Sequence, residues 1–253
     1  TEKRSASVIA ESFDNIGGQI NAFTGKECTC YYAKTLNEHV DLVIDILSDM
    51  LFHSTLAKKD INVERKVIIE EIGMYEDSPE ELVHDVLSET VWAGSTIGYP
   101  ILGTIKSLKG INRNKLLDYI VKNYTPDNTV IAVAGNLDDK RLVEMLEENF
   151  GEWLPETNVI RDINTVEFKP DISIREKETE QVHLCIGFEG IKNGDDKLYP
   201  LLAVNNIFGG SMSSRLFQKI REKKGFAYSI YSYPTTYNDA GLLAIYAGMK
   251  PEH

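Results

Sequence analysis

The chain has 253 residues, with 42% hydrophobic and 26% charged side chains, the balance of a globular domain or two with a packed core. Lys and Arg total 27 against 39 Asp and Glu, a formal net charge of −12, which excludes a duplex nucleic-acid partner unless a local basic patch overrides the field. The strongest basic cluster, Arg221-Glu222-Lys223-Lys224, is short and ends a helix, where the helix dipole already favours cations. No apolar run approaches the roughly 20 residues of a membrane span.

Ile9, Phe13 and Ile16 form a helical stripe over residues 5 to 16, stopped by Gly17-Gly18. Two strands follow, Gln19 to Thr24 and Glu27 to Leu36, with a turn at Gly25-Lys26. Helices are expected from Glu38 to Phe52 and from Lys59 to Tyr75. A capping box, Ser78-Pro79-Glu80-Glu81, opens a further helix to Trp92. Ser95 to Gly103 is a loop, and Arg113 to Tyr124 a helix. Thr129 to Ala134 has the composition of a buried strand, and Asp138 or Asp139 caps a helix to Phe150.

Periodicity disappears between Trp153 and Phe168, as expected of a linker. Strands are expected at Ile172 to Arg175 and Val182 to Phe188, helices at Lys197 to Phe208 and Ser213 to Lys223. Gly225 stops the last helix, and strands Phe226 to Tyr233 and Gly241 to Gly248 close the chain. The mixture lacks strict βαβ alternation and points to an α+β fold. Tyr32-Ala33 and Glu38-His39 recur as Tyr246-Ala247 and Glu252-His253, each after a helix, a glycine stop and two strands. The shared order favours a duplicated domain over chance agreement, and the second copy is then expected to be truncated.

Chemistry-bearing residues are few. Cys28, Cys30 and Cys185 form no framework and are expected as buried free thiols. The five histidines include no pair at i, i+4, and each is expected at the surface or at a cap. Glu64 and Glu71 share one helical face with Ile61, Ile68 and Tyr75. Buried there, two carboxylates need a metal, Arg or His partner; otherwise they are an exposed acidic stripe. Arg221 in a last helical turn and Tyr228 on the next strand could donate to one carbonyl oxygen or oxyanion. The alternative is that Arg221 complements the dipole and Tyr228 packs.

Together these pieces resemble the pitrilysin/insulinase family of zinc metallopeptidases, the inverzincins, in its processing-peptidase branch. The resemblance runs through Gly17 to Thr24, Glu64-Arg65-Lys66-Val67-Ile68-Ile69-Glu70-Glu71, Pro100 to Thr104, Tyr124 to Asn128, and Ser211 to Phe217 with Gly225 to Ser229. It implies two homologous α+β domains of mixed or antiparallel sheet packed with helices, of the LuxS/processing-peptidase type. The first is residues 1–152, then a linker over 153–168 and the first part of a truncated repeat over 169–253.

The resemblance also implies roles. Glu71 matches a zinc ligand and Glu64 an acid that orients the site. Arg221 and Tyr228 match a pair that contacts the substrate carbonyl, and Asn21, Ala22 and Phe23 an edge strand to which peptide adds. The family's H-x-x-E-H helix, which supplies two histidine ligands and the general base, is absent. The expectation is therefore a fragment beginning just after that helix and inactive alone. The intact protein is expected to be a zinc endopeptidase cleaving peptides or presequence-like segments in a closed chamber, paired as a homodimer or with a partner subunit, with neither nucleic acid nor membrane as partner. A non-catalytic partner or structural subunit is the alternative; retention of Glu64 and Glu71 together argues against it. A bacterial cytoplasm is the default compartment and the mitochondrial matrix the second.

Overall fold

The structure, a computed structural model, describes residues 1–153 and 166–253. The chain divides into two units that interleave along the sequence. One joins Thr1–Val67 to Lys106–Arg161, the other Ile68–Ile105 to Asp162–His253. The expected linker over 153–168 lies for the most part outside the described residues.

In the first unit, helix α1 (Ala6–Asp14) is capped by Ser5, whose side chain accepts from the Val8 N–H. The helix ends as the glycines predict. Gly17 has φ +62°, and the Gly18 N–H donates to the Phe13 carbonyl at 2.9 Å. Strands β1 (Gln19–Thr24) and β2 (Thr29–Lys34) then form an antiparallel pair running from Gln19 opposite Lys34 to Thr24 opposite Thr29. A 3-10 turn, Asn37–His39, precedes α2 (Val40–Phe52), so the helix expected from Glu38 begins in a tighter coil.

Phe13, Val43 and Ile46 form the core here, with Ile20 and Ala33 packed against them. Ile20 and Ala33 are cross-strand partners, so their face of the hairpin is the inner one. Asn21, Phe23 and Tyr32 occupy the outer face. Helix α3 (Lys58–Glu76) follows and continues into the second unit. Later come α5 (Ile105–Lys109, unforeseen in the sequence), α6 (Arg113–Asn123) and α7 (Asp139–Phe150). Asp138 caps α7 as expected, accepting from the Arg141 N–H.

In the second unit, α4 (Pro79–Val91) packs on a three-stranded antiparallel sheet. The sheet comprises β3 (Val182–Glu189), β4 (Ala227–Thr236) and β5 (Gly241–Met249) in the order β3-β5-β4. Val91, Trp92, Ile97, Leu242 and Ala244 make the core on the α4 side, with Leu87, Val166 and Phe168 against it. Gly187 lets the helix come close, since a Cβ there would sit 3.0 Å from Leu87 Cδ1. On the opposite face Ala227, Ile230 and Ala247 meet Leu216 and Ile220. Helix α8 (Leu198–Phe208) completes the unit. The helix–glycine–hairpin order of α1-β1-β2 is thus repeated in the segment ending at β4-β5.

Other expectations fail. Residues 129–134 pair with no described strand, and Val130 is 90% exposed. Residues 172–175 are likewise irregular, with Ile172 85% exposed. β-Branched composition favours extended backbone, but a strand also needs a neighbour to bond to. Ser78 makes no side-chain cap; with Pro79 after it, its ψ is 95° against 164° at the capping Ser5. The thiols are free but not buried, Cys28 being exposed and Cys30 and Cys185 half-buried. No helix among the described residues is long and apolar enough to cross a membrane.

Candidate functional site

Glu64 and Glu71 lie two turns apart on α3, a helix without a fully buried residue. Ile61 and Ile68 are half-buried, while both glutamates are exposed. The desolvation argument for a positive partner therefore does not arise, and the pair forms an accessible acidic stripe. Arg65 fixes the N-terminal half of the helix by donating to the carbonyls of Leu108 at 3.2 Å and Ile111 at 2.6 Å. A carboxylate such as Glu71 is a suitable oxygen donor for zinc. Among the described residues, however, no group of three or more His, Cys, Asp or Glu side chains could hold a metal ion. These residues alone do not compose a zinc site.

Arg221 and Tyr228 are brought together. The guanidinium carbon lies 4.8 Å from the centre of the Tyr228 ring and 4.8 Å from that of Phe217. Two backbone irregularities accompany this contact. The helix expected over 213–223 is π-helical from Phe217 to Glu222, with the Lys223 N–H donating to the Gln218 carbonyl. On the strand, Ala227 pairs with Met249 and Ser229 with Gly248, so Tyr228 is the extra residue of a β-bulge. Gly225, φ +63°, links the two.

The first copy of the motif shows what regular geometry would give. There Gly17 bonds back to Asp14 and Gly18 to Phe13. Here Gly225 bonds back to Arg221 and Phe226 to Ile220, one residue further in each case. The register of β1 on β2 is continuous, whereas β4 is bulged. The second copy thus carries an added residue on each side of its glycine. Tyr228 is 73% exposed, and Arg221 is half-buried with Glu222 3.9 Å from its Nε. An accessible guanidinium beside a phenol can donate to one oxygen of a ligand.

Asn21, Ala22 and Phe23 fall on β1, which among the described strands pairs only with β2. Its other edge can accept a further strand. The Ala22 N–H is held locally by Asn21 Oδ1 at 2.8 Å, a bond that an incoming backbone would replace. Phe23 is 55% exposed, its ring 6.3 Å from that of Tyr32 on the outer face.

One group of polar residues was not foreseen. His84 on α4 is half-buried against the sheet, with Nδ1 2.6 Å from the Tyr233 hydroxyl and Nε2 3.2 Å from that of Tyr231. Cys185 Sγ lies 3.4 Å from the same Nδ1. His183 Nδ1 is 2.9 Å from the hydroxyl of Tyr246, which is 1% exposed. Burial pushes His84 below the ordinary histidine pKa despite the opposing charges of Glu81, Glu80 and Asp85. Burial also raises the Cys185 thiol to about 12, and pushes the phenols of Tyr231, Tyr233 and Tyr246 upward. The available signal was spacing: His84 shares a helical stripe with Leu87 and Val91. His84, half-buried against the sheet, and His183, half-buried beside the Tyr246 hydroxyl, correct the expectation of surface or capping histidines at both positions.

The family described as "Insulinase (Peptidase family M16)" matches residues 1–105, and "Peptidase M16 inactive domain" matches residues 110–253. An uncharacterized zinc protease, YmxG, of Bacillus subtilis is 49% identical over 248 residues, 98% of this chain and 60% of its own length. An uncharacterized zinc protease of Rickettsia felis is 39% identical, again over 98% of this chain and 60% of its own. The chain therefore spans about three fifths of these relatives. Among solved structures, a peptidase M16 inactive domain from Pseudomonas fluorescens superposes with a TM-score of 0.91 at 20% identity, covering 99% of this chain and 62% of that one. A chain of complex III2 from Candida albicans superposes with a TM-score of 0.75 at 19% identity, over 93% of this chain and 58% of its own. Those two likenesses are of fold. By its two family matches and its relatives named zinc proteases, the chain belongs to the M16, or insulinase, family of peptidases.

Proposed function

We propose that the full-length protein is a zinc-dependent endopeptidase, in which residues 1–152 belong to a peptidase-like domain and 169–253 to its repeat. The observation that carries this reading is the contact between Arg221 and Tyr228, which presents two donors beside each other at an accessible position. In the proposal, Glu71 supplies one oxygen ligand to zinc, and Glu64 orients that site. Two further ligands and the general base come from outside this chain, so the 253 residues alone do not hydrolyse peptides. Zinc would supply Lewis acidity and an acidified water. Arg221 and Tyr228 hold the carbonyl oxygen of the scissile peptide, and Asn21, Ala22 and Phe23 bind its backbone as an added strand. Pairing of such chains, as a homodimer or with a partner subunit, closes a chamber around an extended peptide. The proposed compartment is a bacterial cytoplasm, supported by bacterial relatives.

The test is hydrolysis of an unstructured fluorogenic peptide by the full-length protein, before and after chelation and with zinc restored. Zinc-dependent cleavage that Glu71→Ala abolishes together with bound zinc is the expected result. A second reading, a non-catalytic subunit that binds peptides or proteins, is favoured by the inactive-domain match over 110–253. Zinc content unchanged by Glu71→Ala, with no cleavage by the parent protein, would support it.

A further inference from the structure

The motif that carries Arg221 and Tyr228 departs from its twin by one residue on each side of Gly225, and Phe217 lies where the first departure begins. Phe217 opens the π-helical segment, four residues before Arg221, and its ring centre is 4.8 Å from the guanidinium carbon, the same separation as Tyr228. We infer that Phe217 is the positioning residue for Arg221: its ring, with that of Tyr228, holds the guanidinium by cation–π contact, so that the charge is aimed at substrate before substrate arrives. This inference rests on the peptidase reading of the same site.

A long, half-exposed arginine on a helix end samples many rotamers, and fixing them on binding costs affinity or rate. Rings within reach of the guanidinium face remove part of that cost in advance while leaving the N–H donors at the rim of the plane. The ion pair with the neighbouring Glu222, at 3.9 Å to Nε, is too long to fix the Nη groups. The aromatic contacts, at 4.8 Å, lie well inside the roughly 6 Å range of a cation–π interaction. The twin motif in α1 has an aspartate, Asp14, where the glycine bond-back falls here on Arg221, and it has neither π turn nor bulge. The irregular backbone is confined to the copy that has a guanidinium to hold.

The experiment compares Phe217→Tyr, which keeps the ring face, with Phe217→Leu, which keeps apolar bulk without it, in the full-length protein. Thermal melts establish that both fold. The first readout is peptide hydrolysis. Phe217→Leu is expected to lower kcat about tenfold with KM changed less than about twofold, Phe217→Tyr to stay within about twofold of the parent, and the leucine effect to vanish in an Arg221→Gln background. Equal activity of Phe217→Leu and the parent, equal loss in both variants, or a leucine effect that persists without Arg221 would each overturn the inference. The second readout needs no activity: the 15N relaxation order parameter of Arg221 Nε–H, assigned by its loss in Arg221→Lys. It is expected to fall in Phe217→Leu and hold in Phe217→Tyr; no fall in Phe217→Leu overturns the inference. A parent protein that cleaves no peptide with zinc sinks the peptidase reading instead, and the relaxation measurement then decides the role of Phe217 alone.

Discussion

The guanidinium carbon of Arg221 stands 4.8 Å from the centre of the Tyr228 ring, although a π-helical turn, a left-handed glycine and a β-bulge separate the two residues. Each irregularity costs regular hydrogen bonding, and together they bring a charge and a phenol to one place. If the pair holds a substrate carbonyl, its members act on the same oxygen. Tyr228→Phe, which keeps the ring and removes the hydroxyl, is expected to lower kcat in the full-length protein by about 10² to 10³. Arg221→Gln is expected to cost at least as much. The double variant should lose far less than the product of the two, because both donors serve one group. Steady-state kinetics on one peptide measures all three, and multiplicative losses would separate the two roles.

The glutamates of α3 make contrasting predictions. A direct zinc ligand cannot be replaced by an amide without losing most of the metal, whereas an acid behind the ligands weakens binding by about 10- to 100-fold. Glu71→Gln in the full-length protein is therefore expected to lose both zinc and cleavage. Glu64→Gln should keep zinc at saturating concentration and release it more readily on dialysis. Metal analysis after dialysis against a weak chelator ranks the two, and an order reversed from this one would exchange their roles.

Gly225 tests the turn between helix and bulge. Its φ of +63° suits glycine, and a Cβ there would meet nothing within 4 Å, so the cost of a side chain is conformational alone. Gly225→Ala is expected to destabilise by about 1–2 kcal/mol, as is Gly17→Ala at φ +62° in the twin turn. The two differ in function: only the first should also lower kcat, by loosening the approach of Tyr228 to Arg221. Denaturant titration and kinetics on the same preparations check both parts.

Much of this arrangement was legible from residues alone. Gly17 and Gly225 marked both stops because a left-handed residue after a helix is a local requirement. The repeated pairs Tyr32-Ala33 and Tyr246-Ala247 lie on β2 and β5, where Ala33 faces Ile20 and Ala247 faces Ile230. The strands expected at 129–134 and 172–175 did not form, because β-branched composition reports local preference and a ladder depends on a neighbour far away in sequence. The π turn and the bulge left no local trace either; each is an added residue visible only against the twin motif. Spacing found Arg221 and Tyr228 as a possible pair but could not tell contact from coincidence. His84 was passed over because a single histidine on an apolar stripe has no motif, and its partners Tyr231, Tyr233 and Cys185 come from two distant strands.

Cys185 and Cys28 should differ in reactivity. Burial raises the Cys185 thiol to about 12, and its sulfur lies against His84 on the covered face of the sheet. The thiolate is the reactive form, so little of it is present near neutral pH. Cys28 is exposed at the end of the β1-β2 turn, just before β2. A chromogenic disulfide reagent is expected to label Cys28 at least about tenfold faster than Cys185 in the native protein, with the difference lost in denaturant. Peptide mapping of the labelled sites measures this, and prompt native labelling of Cys185 would contradict the packing described for α4.

His84 gives the sheet a pH dependence of definite sign. Burial lowers its pKa in the folded state relative to the ordinary 6.5, although Glu81, Glu80 and Asp85 on the same helix pull the other way. From the facing strands it meets Tyr233, Tyr231 and Cys185, all held in their protonated, neutral forms by burial. Between the folded and unfolded values the unfolded chain binds the extra proton more readily, so stability must rise with pH across that window. The contribution of His84 is complete above about pH 6.5 and is lost as the pH falls through the lower, folded value. His84→Gln, which can still hydrogen-bond to the tyrosines but does not titrate, should remove this slope. Thermal melts of parent and variant from about pH 8 to about pH 5 make the comparison. The parent is expected to lose more stability on acidification than the variant; parallel curves would mean that His84 is not held neutral between α4 and the sheet.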